Sequence, residues 1–140
     1  MGSKPKYQLI NGLRMPLGFP PSGLESAHRY EPESGDIFVA SYPKCGTTWL
    51  QHIVYLLLND GLPIAAETSL TEIFPHLEEV GREYVAALPK PRLIKTHLSL
   101  SMTPFSTAAK YVYVARNPFD CAASFYHHTR GFVKDRKSVV

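Results

Sequence analysis

The segment Tyr42 to Trp49, reading Tyr-Pro-Lys-Cys-Gly-Thr-Thr-Trp, joins an apolar run to a helix-patterned one. Loop amides and the positive end of a following helix point to where an anion can bind. Gly46 lets the backbone approach that anion closely, Thr47 and Thr48 offer hydroxyls, and Lys44 adds a movable cation. The Walker pattern is not met, because the lysine precedes the single glycine of the loop. An ordinary strand-to-helix turn is the competing reading, and the lysine, glycine and paired threonines together weigh against it. Lys95 and His97 are two residues apart, so on a strand they share a face. An imidazole there can accept a hydroxyl proton near neutral pH, while a lysine stabilises charge on a leaving group. Arg116 closes another apolar run, where its planar fork can grip a phosphate, and Ser124 can donate to the same group. Each of these has a plain structural alternative. A lone histidine is more often structural than catalytic, Arg116 suits a solvated strand end, Ser124 suits helix packing, and Trp49 suits a core. His127 and His128 rival His97, but on a helix packing or solvation explains them better.

The elements that must position these groups follow from periodicity. Asp36 to Ser41 is short, apolar and β-rich, and reads as a buried strand followed by a turn over Tyr42 to Gly46. Thr47 to Asn59 carries Leu50, Ile53, Val54 and Leu57 at helical spacing, with Asn59-Asp60-Gly61 as its stop. Tyr55, Leu56 and Leu58 add apolar surface elsewhere, which predicts a helix buried on most sides. Ser69 and Glu72 have capping-box spacing ahead of Leu70, Ile73, Phe74 and Leu77, with Pro75 positioned to bend or end the helix. Glu78 to Ala87 suits a further helical piece. Strands are expected at Arg92 to Thr96 and Lys110 to Ala115. Asn117 then caps a helix with Pro118 at its first position, Asp120 in its first turn and Gly131 as its stop. Strands separated by helices imply a parallel sheet flanked by helices. Prolines and glycines recur too often between Lys4 and Gly35 for a long element. The expected organisation is an extended lead-in over 1–35, an α/β domain over 36–131 and an atypical tail over 132–140.

The chain has 140 residues, 44% of them apolar and 19% charged, which suits one globular domain. Its net charge of +3 fits a small anionic ligand better than a nucleic-acid coat. The longest apolar stretch falls far short of the roughly 20 residues a membrane span needs. The first residues lack a secretory pattern, and Lys6 breaks the myristoylation pattern. Cys45 and Cys121 are too few for a disulfide scaffold or a four-ligand zinc site. These features lead us to expect a cytoplasmic protein with no membrane and no nucleic-acid partner.

The chain resembles the cytosolic sulfotransferase family in three motifs that occur in order between Asp36 and Gly131. Tyr42-Pro-Lys-x-Gly-Thr-Thr-Trp49 resembles the family's 5′-phosphosulfate loop. Lys95-Thr-His97 resembles its catalytic strand end, and Tyr113-Val-Ala-Arg-Asn-Pro-x-Asp120 with Ser124 resembles its 3′-phosphate site. The resemblance implies a P-loop-like sulfotransferase fold, incomplete at the C-terminus. It implies 3′-phosphoadenosine 5′-phosphosulfate (PAPS) as the sulfuryl donor, a hydroxyl or amine of a small molecule as acceptor, and no metal. By the same resemblance Lys44, Lys95 and His97 are the catalytic residues. Lys44, Cys45, Gly46, Thr47, Thr48, Trp49, Arg116 and Ser124 bind the nucleotide, with Trp49 against adenine. Phe19, Phe74, His76, Met102, His128 and Phe132 suit an apolar acceptor pocket. Ser99 stands where the family often has proline, and Val133 to Val140 departs from the family's continuation. The resemblance covers about the first half of a member. The segment that completes the 3′-phosphate site and the usual dimer motif lie outside it, so a truncated form is expected, with a homodimer an option for the full-length form. Two alternatives remain: a non-catalytic nucleotide-binding fragment, and a phosphate-loop nucleotide kinase requiring ATP and magnesium. The lysine before the glycine and the lack of a clear metal carboxylate argue against the kinase.

Overall fold

A computed structural model describes residues 7–131; the expected tail over 132–140 and Phe132 lie outside them. Strand β3 (Asp36–Ser41) is the centre of a three-stranded parallel sheet of order β4-β3-β5, flanked by β4 (Arg92–Thr96) and β5 (Lys110–Val114). Register sets Val39 opposite Lys95 on one side and Val112 on the other. The central strand is apolar throughout its middle because it is covered on both faces. Ile37, Val39 and Leu93 pack with Val54 of α2 (Thr47–Leu58) and with Phe74. Phe38 and Ile94 pack on the opposite face with Ala27, Tyr30, Leu77 and Val85. These last residues belong to, or follow, the short helices α1 (Pro21–Ala27), α4 (Leu77–Val80) and α5 (Arg82–Ala86). The helix α6 (Pro118–Gly131) follows β5, and the Asn117 side chain accepts from the Phe119 N–H at its start (2.9 Å).

Three local expectations are corrected. The lead-in is not merely extended: β1 (Tyr7–Ile10) and β2 (Leu13–Pro16) form an antiparallel hairpin, followed by α1. Asn11 and Gly12 turn it with φ of 50° and 81°, the left-handed pair that suits strand twist in a two-residue hairpin. Pro21 opens α1 instead of breaking it, because a first-turn proline has no hydrogen bond to lose. Second, α3 (Leu70–Ile73) is a single turn whose Ser69 Oγ accepts from Thr71 N (3.3 Å), not a full capping box. The chain after it, from Phe74 to His76, runs beside β4, where Lys95 N donates to Pro75 O (3.0 Å). Third, α2 is buried on one face only, and Leu57 is 77% exposed. Within the described residues the sheet covers a single side of this helix, so its remaining leucines face outward. No helix among the described residues is long and apolar enough to cross a membrane.

Candidate active site at the carboxyl edge of the sheet

All three parallel strands end at the same edge, so the segments after β3, β4 and β5 converge there, where ligands bind in open α/β sheets. The loop after β3 turns through Lys44 at φ 69° and Gly46 at φ 107°. A side chain at Gly46 would meet no close atom, yet its backbone lies in the left-handed region that only glycine adopts at no cost. Gly46 is also the N-cap residue of α2, whose N-terminus carries the free amides.

His97 lies directly after β4 and is tied to the end of β3. Its Nδ1 lies 2.8 Å from the Ser41 carbonyl oxygen, which can only accept, so Nδ1 carries the proton and Nε2 holds the lone pair. Ser41 Oγ lies 2.6 Å from Thr47 Oγ1, so one short chain of contacts links the imidazole to the first residue of α2. Burial is the main cause that lowers the His97 pKa to about 4, with the charges of His76 and Lys95 adding to it and the Ser41 contact and Glu78 opposing it. The ring is therefore neutral at neutral pH and able to take a proton at Nε2. Lys95, partly buried on the strand, is also lowered by desolvation, with Glu78 and Glu79 opposing the shift.

Glu78, only 1% exposed, was missed by sequence reasoning as a site residue. Its Oε1 accepts from the His97 N–H (2.6 Å) and lies 3.3 Å from His76 Nε2. Burial raises the Glu78 carboxyl, but His76 and the His97 amide outweigh it and hold its pKa below the usual range. The His76 and His97 rings meet edge to face, with centroids 5.0 Å apart, and Phe19 packs on His76 in the same manner. His76 Nε2 and Glu78 Oε2 have no well-formed hydrogen bond among the described residues. The sequence offered His76 only as a lining residue of an acceptor pocket, and Glu78 only as part of a stretch read as helical.

The remaining candidates divide. Arg116 follows β5 and donates to the Lys44 carbonyl (3.2 Å), which ties the segment after β5 to the loop after β3. His128, on α6, has a lowered pKa, chiefly from desolvation and then from the charges of Lys44 and Lys95. Cys45 is buried against Cys121 of α6. Thr48 is exposed on α2, Ser124 is half-buried on α6, and Trp49 stands 68% exposed, apart from the buried group. The Met102 carbonyl lies 3.2 Å from His28 Nδ1, and Phe74 is enclosed in the core under α2.

This fold and edge define a class. The sulfotransferase domain family matches residues 34–139, and the chain belongs to that family. Among its relatives, sulfotransferase 1B1 of Canis lupus familiaris is 35% identical over 139 residues, covering 88% of this chain and 47% of that protein. Luciferin sulfotransferase of Photinus pyralis is 36% identical, covering 89% of this chain and 41% of its own length. Mouse sulfotransferase SULT7A1 complexed with PAP superposes with a TM-score of 0.69 at 28% identity, over 90% of this chain and 44% of that one. Retinol dehydratase in a complex with retinol and PAP also gives 0.69, at 28% identity, over 81% of this chain and 46% of that one. The chain spans less than half the length of these proteins.

Proposed function

We propose that this chain is the donor-binding portion of a PAPS-dependent sulfotransferase acting on a hydroxyl or amine of a small acceptor. The loop from Lys44 to Thr48 holds the 5′-phosphosulfate, with Cys45 and Gly46 contributing backbone, and Arg116 and Ser124 hold the 3′-phosphate. Trp49 offers its exposed face to adenine. His97 Nε2 takes the acceptor proton as the new oxygen–sulfur bond forms and the bond to the nucleotide's 5′-phosphate breaks. Lys44 and Lys95 stabilise the charge left on that phosphate, as cations do in loose phosphoryl transfer. The observation that carries this reading is the link from His97 through Ser41 to Thr47, which ties a neutral imidazole to the anion loop. Absence of a membrane-spanning helix among the described residues fits a cytoplasmic setting.

Calorimetry with PAP, PAPS and ATP, with and without magnesium, tests the donor. PAP is expected to bind without magnesium. Magnesium-dependent binding of ATP alone would favour a kinase instead. A radiolabelled PAPS transfer assay on this chain, and on the chain joined to a family C-terminal half, tests the reaction. Little transfer is expected from the 140 residues alone and robust transfer from the joined form, because an open site admits water and misplacement of about 1 Å can cost about a hundredfold. Binding of PAP by neither form would overturn the assignment.

A further inference from the structure

Cys45 sits in the anion loop and Cys121 on α6, and their sulfur atoms lie 3.6 Å apart in a buried contact between residues 76 positions distant in sequence. The two strands that precede them, β3 and β5, are adjacent and parallel, so the segments leaving them meet at the carboxyl edge. The contact belongs to a seam. Cys121 Sγ donates to the Pro43 carbonyl (3.2 Å), and Arg116 donates to the Lys44 carbonyl (3.2 Å). The loop is thus held at three successive residues, Pro43 and Cys45 by Cys121 of α6 and Lys44 by Arg116 just ahead of that helix, and Lys44 already holds a left-handed backbone.

We propose that Cys45 and Cys121 form a reversible dithiol–disulfide pair that disables the donor loop when oxidised. The proposal rests on the reading of that loop as the PAPS site. Its chemistry is thiol–disulfide exchange with a small-molecule disulfide such as oxidised glutathione. One protein thiolate attacks a sulfur of the oxidant, forming a mixed disulfide and releasing one small thiol. The other protein thiolate then attacks the protein sulfur of that mixed disulfide and releases the second. The protein pair gives up both its protons and two electrons, and the oxidant leaves as two thiols. Closing the sulfurs from 3.6 Å to the roughly 2 Å of a disulfide pulls Cys45 toward α6. The same step removes the Cys121 proton, so the Pro43 carbonyl loses its donor. Both changes act on the backbone whose amides must face the phosphosulfate.

The test uses the 140-residue chain in three states: reduced, oxidised with oxidised glutathione, and re-reduced with dithiothreitol. Peptide mapping by mass spectrometry reads the cross-link, and calorimetry reads PAP affinity. The expected result is a Cys45–Cys121 cross-link, PAP binding weakened at least about tenfold, and recovery on reduction, since shifts near 1 Å in a polar site have effects of that order or larger. Cys121→Ser should bind PAP in both conditions. Failure to cross-link, or a cross-linked chain that binds PAP as the reduced one does, overturns the proposal. Equal loss of affinity in oxidised Cys121→Ser also overturns it, since a mixed disulfide on Cys45 would then suffice. A reduced chain that binds no PAP refutes the donor reading, and with it the regulatory role, while the mapping still decides whether the pair closes.

Discussion

Two carboxylates almost without exposure, Asp36 and Glu78, stand near opposite ends of the same sheet and are treated in opposite ways. At the amino end of β3, Asp36 accepts from Tyr30 Oη (2.7 Å), from Glu33 N (2.8 Å) and from Arg92 (3.3 Å). Arg92 also donates to Glu33 and to the Ala86 and Leu88 carbonyls, so its fork is filled. Burial alone would lower the Arg92 pKa, but Glu33, Tyr30 and Asp36 outweigh it and raise it. Near the carboxyl end of β4, Glu78 has one oxygen engaged, by the His97 amide and by His76 Nε2 at 3.3 Å, and the other without a hydrogen bond among the described residues. Buried polar groups are usually satisfied, and the exceptions concentrate where a structure has work to do. The amino edge is closed by its own partners, whereas the carboxyl edge leaves a buried carboxylate oxygen without a hydrogen bond among the described residues.

The largest expected effect lies at the carboxyl edge. In the chain joined to a family C-terminal half, His97→Ala should reduce sulfate transfer by about a hundred- to ten-thousand-fold, the usual cost of losing a general base. PAP affinity should stay nearly unchanged, and full transfer in the variant would remove His97 from the mechanism. At the amino edge the effect is on stability. Asp36→Ala leaves the Arg92 fork and the Tyr30 hydroxyl without their shared acceptor, and breaking such a buried pair costs roughly 3 to 5 kcal/mol. Urea unfolding measures it, and PAP affinity of the folded fraction should not change. Glu78→Gln gives up the charge facing His76 but keeps an acceptor for the His97 amide, so its cost should be smaller, about 1 to 2 kcal/mol. Equal losses in the two variants would erase the distinction between the edges.

A smaller effect follows from pH. His97 is held at about 4 in the fold against an ordinary value of 6.5. Between those values the unfolded chain binds more protons than the folded one, so stability falls as pH drops through that window. From about pH 7 to about pH 5 the contribution of this group amounts to roughly 2 kcal/mol. Glu78 acts lower: its depressed pKa stabilises the fold above the ordinary carboxylate value of 4.5 and loses that contribution as pH falls through the folded value. Unfolding of the parent and of His97→Gln should converge by about 2 kcal/mol on going to pH 5. A constant gap across that range would show that the ring is not held neutral by burial.

Much of the carboxyl edge could be read in advance, and its parts differ in why. The strands at 36–41, 92–96 and 110–114 are short apolar runs bounded by breaks, and local pattern suffices for them. Lys95 lies on β4 as the pattern predicts, whereas His97 falls just past the end of that strand. Ser41 was legible as a strand end but not as a hydrogen-bonding partner, because its role depends on which strand lies next to β3. His76 and Glu78 needed more still. They lie on a bridge and a one-turn helix whose position is fixed by pairing beside β4, and so short an element has no periodicity to detect. The cysteine contact depends on the order β4-β3-β5, which no local window contains. The hairpin was legible in the Asn11-Gly12 pair and was hidden by the surrounding prolines, one of which starts a helix.

The smallest test removes one hydroxyl from each edge. Tyr30→Phe deletes the donor to Asp36, a hydrogen bond to a charged group, and should lower stability by about 1.5 kcal/mol. Burial, together with the hydrogen bond to Asp36, raises the Tyr30 pKa well above its ordinary value, so the lost bond is one made by the neutral phenol. Thr47→Val deletes the partner of Ser41 Oγ with nearly the same shape. Its stability cost should be nearer 1 kcal/mol, because Ser41 Oγ still lies 3.5 Å from His97 Nδ1 and can turn toward it. The two variants should separate in ligand binding. Tyr30→Phe is expected to bind PAP like the parent, whereas Thr47→Val loses a hydroxyl at the mouth of α2 and should bind several-fold more weakly, at about 1 kcal/mol per neutral hydrogen bond. Calorimetry on both, at a temperature where both are folded, reads the difference. Equal PAP affinity in the two would mean that Thr47 serves only to hold Ser41, and the anion loop would then have to work through Lys44, Thr48 and its backbone amides alone.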